Sequence, residues 1–125
     1  MRDKKYVILC VDDDSDILAS TRIVLEANGF IMEEASSAEE GLKKYKKVNP
    51  DLLLVDLMME EVDSGVNLVK ELRLLNNEAP VYLLSSVGDA LSTEVDHASL
   101  GLTGVMQKPV DHTHLLATIR NILDW

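Results

Sequence analysis

Short apolar runs that stop abruptly at polar or acidic residues constrain this chain more than any other feature of it. Tyr6–Val11 (YVILCV) meets Asp12-Asp13-Asp14, Asp51–Asp56 (DLLLVD) ends in an acid, and Val81–Ser85 (VYLLS) runs into Ser86. Runs this short and this apolar predict strands covered on both faces. Between them the apolar spacing lengthens to three and four residues. Ile17, Leu18, Thr21, Val24 and Leu25 mark a helix that Asp14 or Ser15 can cap and Gly29 can close. Phe30–Ala35 reads as a weaker strand, and a helix from about Ser37 to Val48, with Leu42 and Tyr45 inward, is stopped by Asn49-Pro50. A loop through Gly65 leads into a helix carrying Val66, Leu68, Val69, Leu72 and Leu75, and Pro80 resets the chain. A helix over Asp89–Leu100, a strand over Thr103–Gln107 and a helix over Asp111–Leu123 complete the pattern. Strict alternation of buried strands and amphipathic helices requires parallel pairing through right-handed crossovers. The expected fold is α/β, a doubly wound five-stranded parallel sheet with helices on both faces.

Size and charge narrow the function. A chain of 125 residues is one domain, 1–125, and surface scaling gives roughly 20,000 Å² unfolded against roughly 6,700 Å² folded, enough burial for a real core. The formal net charge of −10 repels phosphate backbones, which argues against direct nucleic-acid binding. No apolar run reaches the roughly 20 residues of a membrane span. Cys10 is the only cysteine, and Met1 is followed by Arg2, Asp3, Lys4 and Lys5 without a long apolar stretch, so the expected location is cytoplasmic.

In open parallel sheets ligands bind beyond the carboxyl ends of the strands. Those ends carry Asp12 and Asp13, Asp56, Ser85 and Ser86, and Lys108. Three carboxylates against one lysine leave a local charge of −2, a deficit that a hard, oxygen-seeking Mg²⁺ fits. An aspartate beside Mg²⁺, a lysine and a hydroxyl is equipment for accepting a phosphoryl group: the carboxylate acts as nucleophile, and the other groups neutralise charge on the phosphoryl oxygens. Taken singly, each residue has a plainer role. An acidic run after a strand serves a helix N-terminus, a strand-end serine bonds backbone, and a loop lysine is solvated. Their joint placement favours chemistry. Asp14 and Asp16 are assigned to capping and helix start. Cys10, inside an apolar strand next to anions, is an inert core thiol. His112 and His114 cannot share a helix face, His97 stands alone, and the three are solvent-facing.

With these residues in view, the chain resembles a response-regulator receiver domain of two-component signalling, chemotaxis-regulator-like, over its whole length. The matching motifs are VDDD at Val11–Asp14, LLLVD ending at Asp56, VYLLSS ending at Ser86, and Lys108-Pro109. The resemblance implies a flavodoxin-like (βα)5 sheet of strand order 2-1-3-4-5. Asp56 would be the phosphoacceptor, supplied by the phosphohistidine of a sensor histidine kinase or histidine phosphotransfer protein. Mg²⁺ would be held by Asp12, Asp13, Asp56 and the backbone carbonyl of Met58. Ser85 would be the switch hydroxyl and Lys108 the ion-pairing lysine, followed by a cis peptide to Pro109. An output partner or dimer mate would use the fourth helix, fifth strand and fifth helix of this reading.

The chain departs from the family pattern at Val105, where a switch aromatic is usual. Glu60 replaces a common proline, Gly65 lies one residue late, and Leu102 replaces an alanine. Three rivals share part of the pattern: a dehalogenase-like phosphatase with Asp12 as nucleophile, a flavodoxin-like FMN binder, and a receiver-like module that never takes phosphate. Aspartates after the first strand would repel the phosphate of FMN. The phosphatase would need a Thr or Val where Asp16 stands and an acidic pair after Lys108.

Overall fold

The computed structural model describes residues 4–56, 64–86, 103–108 and 111–123. Five strands, β1 (Val7–Val11), β2 (Ile31–Ala35), β3 (Leu52–Asp56), β4 (Val81–Ser86) and β5 (Gly104–Lys108), form one sheet in the order β2-β1-β3-β4-β5. Every pairing is parallel. Helices α1 (Ser15–Ala27), α2 (Ala38–Val48) and α3 (Ser64–Leu74) and a last helix (His112–Leu123) cover it. The expected helix over Asp89–Leu100, the loop from 57 to 63, Gly101, Leu102, Pro109 and Trp125 lie outside the described residues.

Strand alternation divides the core into two layers. Ile8, Cys10, Leu52, Leu54, Leu84 and Met106 face α1 and the last helix, where Leu18, Leu25, Leu115 and Ile119 close the layer. Leu9, Val11, Leu53, Val55 and Leu83 face α3 through Leu68, Val69 and Leu72, and α2 through Leu42 and Tyr45 at the layer's edge. β1 and β3 are buried at every position, as expected for central strands covered on both sides. α2 approaches closely because Gly41 has no side chain: a Cβ there would lie 2.9 Å from Val11 Cγ2 and 3.2 Å from Leu68 Cδ2.

The helix signals in the sequence are used. The Asp14 carboxylate accepts hydrogen bonds from the N–H groups of Asp16 (2.9 Å) and Ile17 (3.4 Å), capping α1. Ser37 caps α2 through Glu40 N–H. α1 ends at Asn28, with Gly29 at φ 86° just beyond it, and α2 ends on Asn49 in the left-handed region, φ 52°. His112 and His114 are exposed.

Some boundaries move. Lys108 is not beyond the fifth strand but its last residue, because β5 begins at Gly104 and pairs Ser86 with Lys108. β4 runs one residue further than expected, to Ser86, so Ser85 sits inside it, while β3 ends on Asp56 as expected. Leu75, expected inward, follows the end of α3 and is 42 % exposed. The apolar period continues one residue past the end of α3, just before the chain turns at Asn76 with φ 60°.

Candidate functional site

Chain reversal in the sheet sets the location. From β1 the chain moves to one side to form β2, then crosses back to form β3 on the other side, so a crevice opens beyond the carboxyl ends of β1 and β3. Val11 pairs with Val55, so Asp12 and Asp56 stand at the same level on neighbouring strands. Asp12 leaves the sheet with its N–H on Ala35 O (3.0 Å). Its Oδ1 accepts the N–H of Asp14 at 3.0 Å, an Asx turn that fixes the carboxylate where strand becomes helix. This second role of Asp12 went unread in the sequence, although Asp two residues before a helix cap is the signal for it.

Asp12 and Asp56 are buried, at 2 % and 5 % relative exposure, and Asp13 between them is exposed. Carboxylate oxygens of Asp12, Asp13 and Asp56 all lie within 4.8 Å of one another. Carboxylates this close favour a cation that they can share. The donor set is all carboxylate oxygen with one side open to solvent. It suits Mg²⁺, which takes one or a few carboxylates and keeps several waters, and it offers no nitrogen or sulfur to a softer metal. The three residues therefore fit the ion.

Ser85, one residue past the level of Asp56 in the β3–β4 register, is buried at 1 %. Lys108 lies at the same edge of the sheet, paired through backbone with Ser86; its side chain, Met58 and the Lys108–Pro109 peptide are outside the described residues. Val105 is half-buried against the α2–α3 layer. The expected strand ends thus converge on one edge, with Asp12, Asp13 and Asp56 in mutual reach and Ser85 and Lys108 on the adjoining strands.

The neighbours of the site are structural. Burial, and secondarily the Asp12 and Glu34 charges, push the Cys10 thiol far above its ordinary value, against an opposing effect of Arg22. That state is unreactive. Arg22, on which the sequence reading was silent, binds α1 to β2. Its guanidinium donates to Glu34 (2.6 and 3.1 Å), Glu26 (3.0 Å) and Met32 O (3.1 Å), and the Glu34 hydrogen bond raises its pKa further.

The family described as the response regulator receiver domain matches residues 8–120. The transcriptional regulatory protein PrrA of Mycobacterium leprae is 33 % identical over 116 residues, covering 93 % of this chain and 49 % of that protein. The chemotaxis protein CheY of Bacillus subtilis is 30 % identical over 118 residues, 94 % of this chain and 97 % of that one. The chain spans about half the length of the first curated relatives it matches. A CheY-like receiver domain protein from Methanospirillum hungatei superimposes with a TM-score of 0.87 at 30 % identity, covering 97 % of this chain and 95 % of that one. The acidic strand ends, the 2-1-3-4-5 parallel sheet and these matches converge, and the chain belongs to the response regulator receiver domain family.

Proposed function

We propose that this domain, taken as one unit over residues 1–125, accepts a phosphoryl group on Asp56 and so switches a protein-interaction face. The observation that carries the reading is the mutual reach of the Asp12, Asp13 and Asp56 carboxylates, within 4.8 Å. Relatives that are response regulators support the donor class: a phosphohistidine of a sensor histidine kinase or histidine phosphotransfer protein. An Asp56 carboxylate oxygen attacks phosphorus as the P–N bond breaks; the bonding pair stays on that ring nitrogen, and the imidazole departs neutral because its other nitrogen already carries a proton. Mg²⁺, which Asp12, Asp13, Asp56 and the Met58 carbonyl would hold, would supply neutralising charge for the phosphoryl oxygens. Lys108 and the Ser85 hydroxyl serve the same oxygens. The domain acts as a signalling element that promotes its own phosphotransfer and dephosphorylation. Its output surface, for a partner or dimer mate, is the expected fourth helix (Asp89–Leu100) with β5 and the last helix. A cytoplasmic setting without direct nucleic-acid contact accords with the charge of −10. Among the described residues no helix is long and apolar enough to cross a membrane.

The test is intact-mass spectrometry after incubation with acetyl phosphate and Mg²⁺, on the wild type and Asp56→Ala. A single phosphoryl adduct that requires Mg²⁺ and is lost in Asp56→Ala is expected. An adduct that survives the substitution would move the nucleophile to Asp12, the phosphatase arrangement, and no adduct on a folded protein would indicate a phosphate-independent module.

A further inference from the structure

The wedge between α1 and the last helix holds a cavity of about 170 Å³ over the sheet face that carries Cys10, Leu54 and Leu84. Leu18 and Leu115 form its helical walls, and Asp12 is the anionic group on its lining. Exposed Ser20 and His112 stand at its mouth, so it opens to solvent. The acidic cluster reaches it only through Asp12; Asp13, Asp56 and Ser85 take no part in its described lining. Side chains around a void lack dispersion partners on one side. A cavity of about 150 Å³ lined by Leu, Ile and Phe stays dry and takes up benzene, and this one has a similar volume and a mostly aliphatic wall. An apolar pocket with a few polar groups is also the usual form of a small-molecule site.

We propose that this cavity is a binding site for a small, uncharged aromatic molecule, from benzene to indole in size, inserted between α1 and the last helix against the Cys10–Leu54–Leu84 floor. The charge of the occupant follows from the wall. Asp12 lies on the lining and shares an acidic cluster with Asp13 and Asp56, so an anionic ring approaches like charge and must also shed its hydration, whereas a neutral ring of the same shape meets neither cost. The proposal does not depend on phosphorylation of Asp56.

The experiment titrates the full chain, carrying ¹³C-labelled Leu, Val and Ile methyls, with benzyl alcohol and separately with benzoate. Saturable shifts are expected at Leu18, Leu54, Leu84 and Leu115, with Leu53, Leu68 and Leu83 on the opposite sheet face unmoved. Benzoate should bind at least tenfold more weakly. Two filling variants, Leu115→Phe and Leu84→Phe, should each weaken benzyl alcohol at least tenfold; if one fails to fold, the other decides. No saturable shift up to the solubility limit, equal shifts on both sheet faces, benzoate binding as well as the alcohol, or undiminished binding in a folded filled variant would each overturn the assignment.

Discussion

Single residues here do more than one job, and their chemistry depends on which neighbours the fold supplies. Asp12 follows a strand, accepts the Asp14 N–H, lies within 4.8 Å of Asp13 and Asp56, and lines the α1 cavity. Asp14, next but one, is absorbed by helix capping, so adjacent aspartates in one run part ways. The strand-end position of Asp12, Asp13 and Asp56 was legible because buried strands must stop where charge begins. Arg22 was not, since its carboxylate partner Glu34 belongs to another element whose register a one-dimensional pattern does not state. Cys10 gives a prediction at this scale. Its folded pKa is raised by burial, so the native state holds the proton more tightly than the unfolded chain. Its contribution is therefore fully present below the unfolded thiol value of about 8.5 and declines as pH rises above it, by up to about 1.4 kcal/mol per pH unit. Urea unfolding at pH 8.0 and 10.0 should show the wild type losing about 2 kcal/mol more than Cys10→Ala, which lacks the titrating group. Equal losses would mean that the thiol ionises freely in the folded protein.

At the level of elements, close approach decides what propensity does not. Glycine inside a helix costs roughly 0.5–1 kcal/mol relative to alanine, so an isolated α2 would gain from Gly41→Ala. In the folded chain the added methyl would meet the β-branched Val11 side chain at 2.9 Å and Leu68 at 3.2 Å. Overpacking of this kind costs about 1–3 kcal/mol, and the larger effect should win. Chemical denaturation of Gly41→Ala is expected to show a net loss of about 1–2 kcal/mol with an unchanged m-value; a gain would mean that α2 slides outward freely. The end of α3 makes the complementary point. Leu75 extends an apolar period that the sheet no longer covers, since a helix face is buried only as far as its neighbour reaches. β5 starts one residue later than its apolar pattern suggests because pairing with Tyr82 begins at Gly104, where a Cβ would come within 2.6 Å of the Tyr82 ring.

For the molecule as a whole, charge and fold meet at one edge of the sheet. Three carboxylates gathered within 4.8 Å can share one cation only in the folded state, because only the fold brings Asp56 to Asp12 and Asp13. Mg²⁺ at about 100 times its dissociation constant should then add about 2.7 kcal/mol to stability, which for a domain of this size corresponds to about 10 °C in Tm. Scanning calorimetry in MgCl₂ against NaCl of matched ionic strength measures this. In Asp13→Asn, Tm without Mg²⁺ should rise as repulsion is relieved, and the Mg²⁺ increment should shrink. Identical Mg²⁺ increments in the two proteins would remove Asp13 from the ligand set.

The sequence by itself determined the alternation of buried strands and amphipathic helices, a first-helix cap at Asp14 or Ser15, and the placing of acids and a serine at strand ends. These are consequences of period, of burial and of local hydrogen bonding, all properties of neighbours along the chain. Only the tertiary structure decided that Asp12 and Asp56 share a level, since that follows from pairing Val11 with Val55, 44 positions apart in sequence. It likewise decided that Lys108 closes β5, that Gly41 must lack a side chain, and that α1 and the last helix stand far enough apart to leave a cavity over Cys10. Distances between elements come from side-chain volumes packed across the sheet, a sum over residues remote in sequence that no local pattern contains.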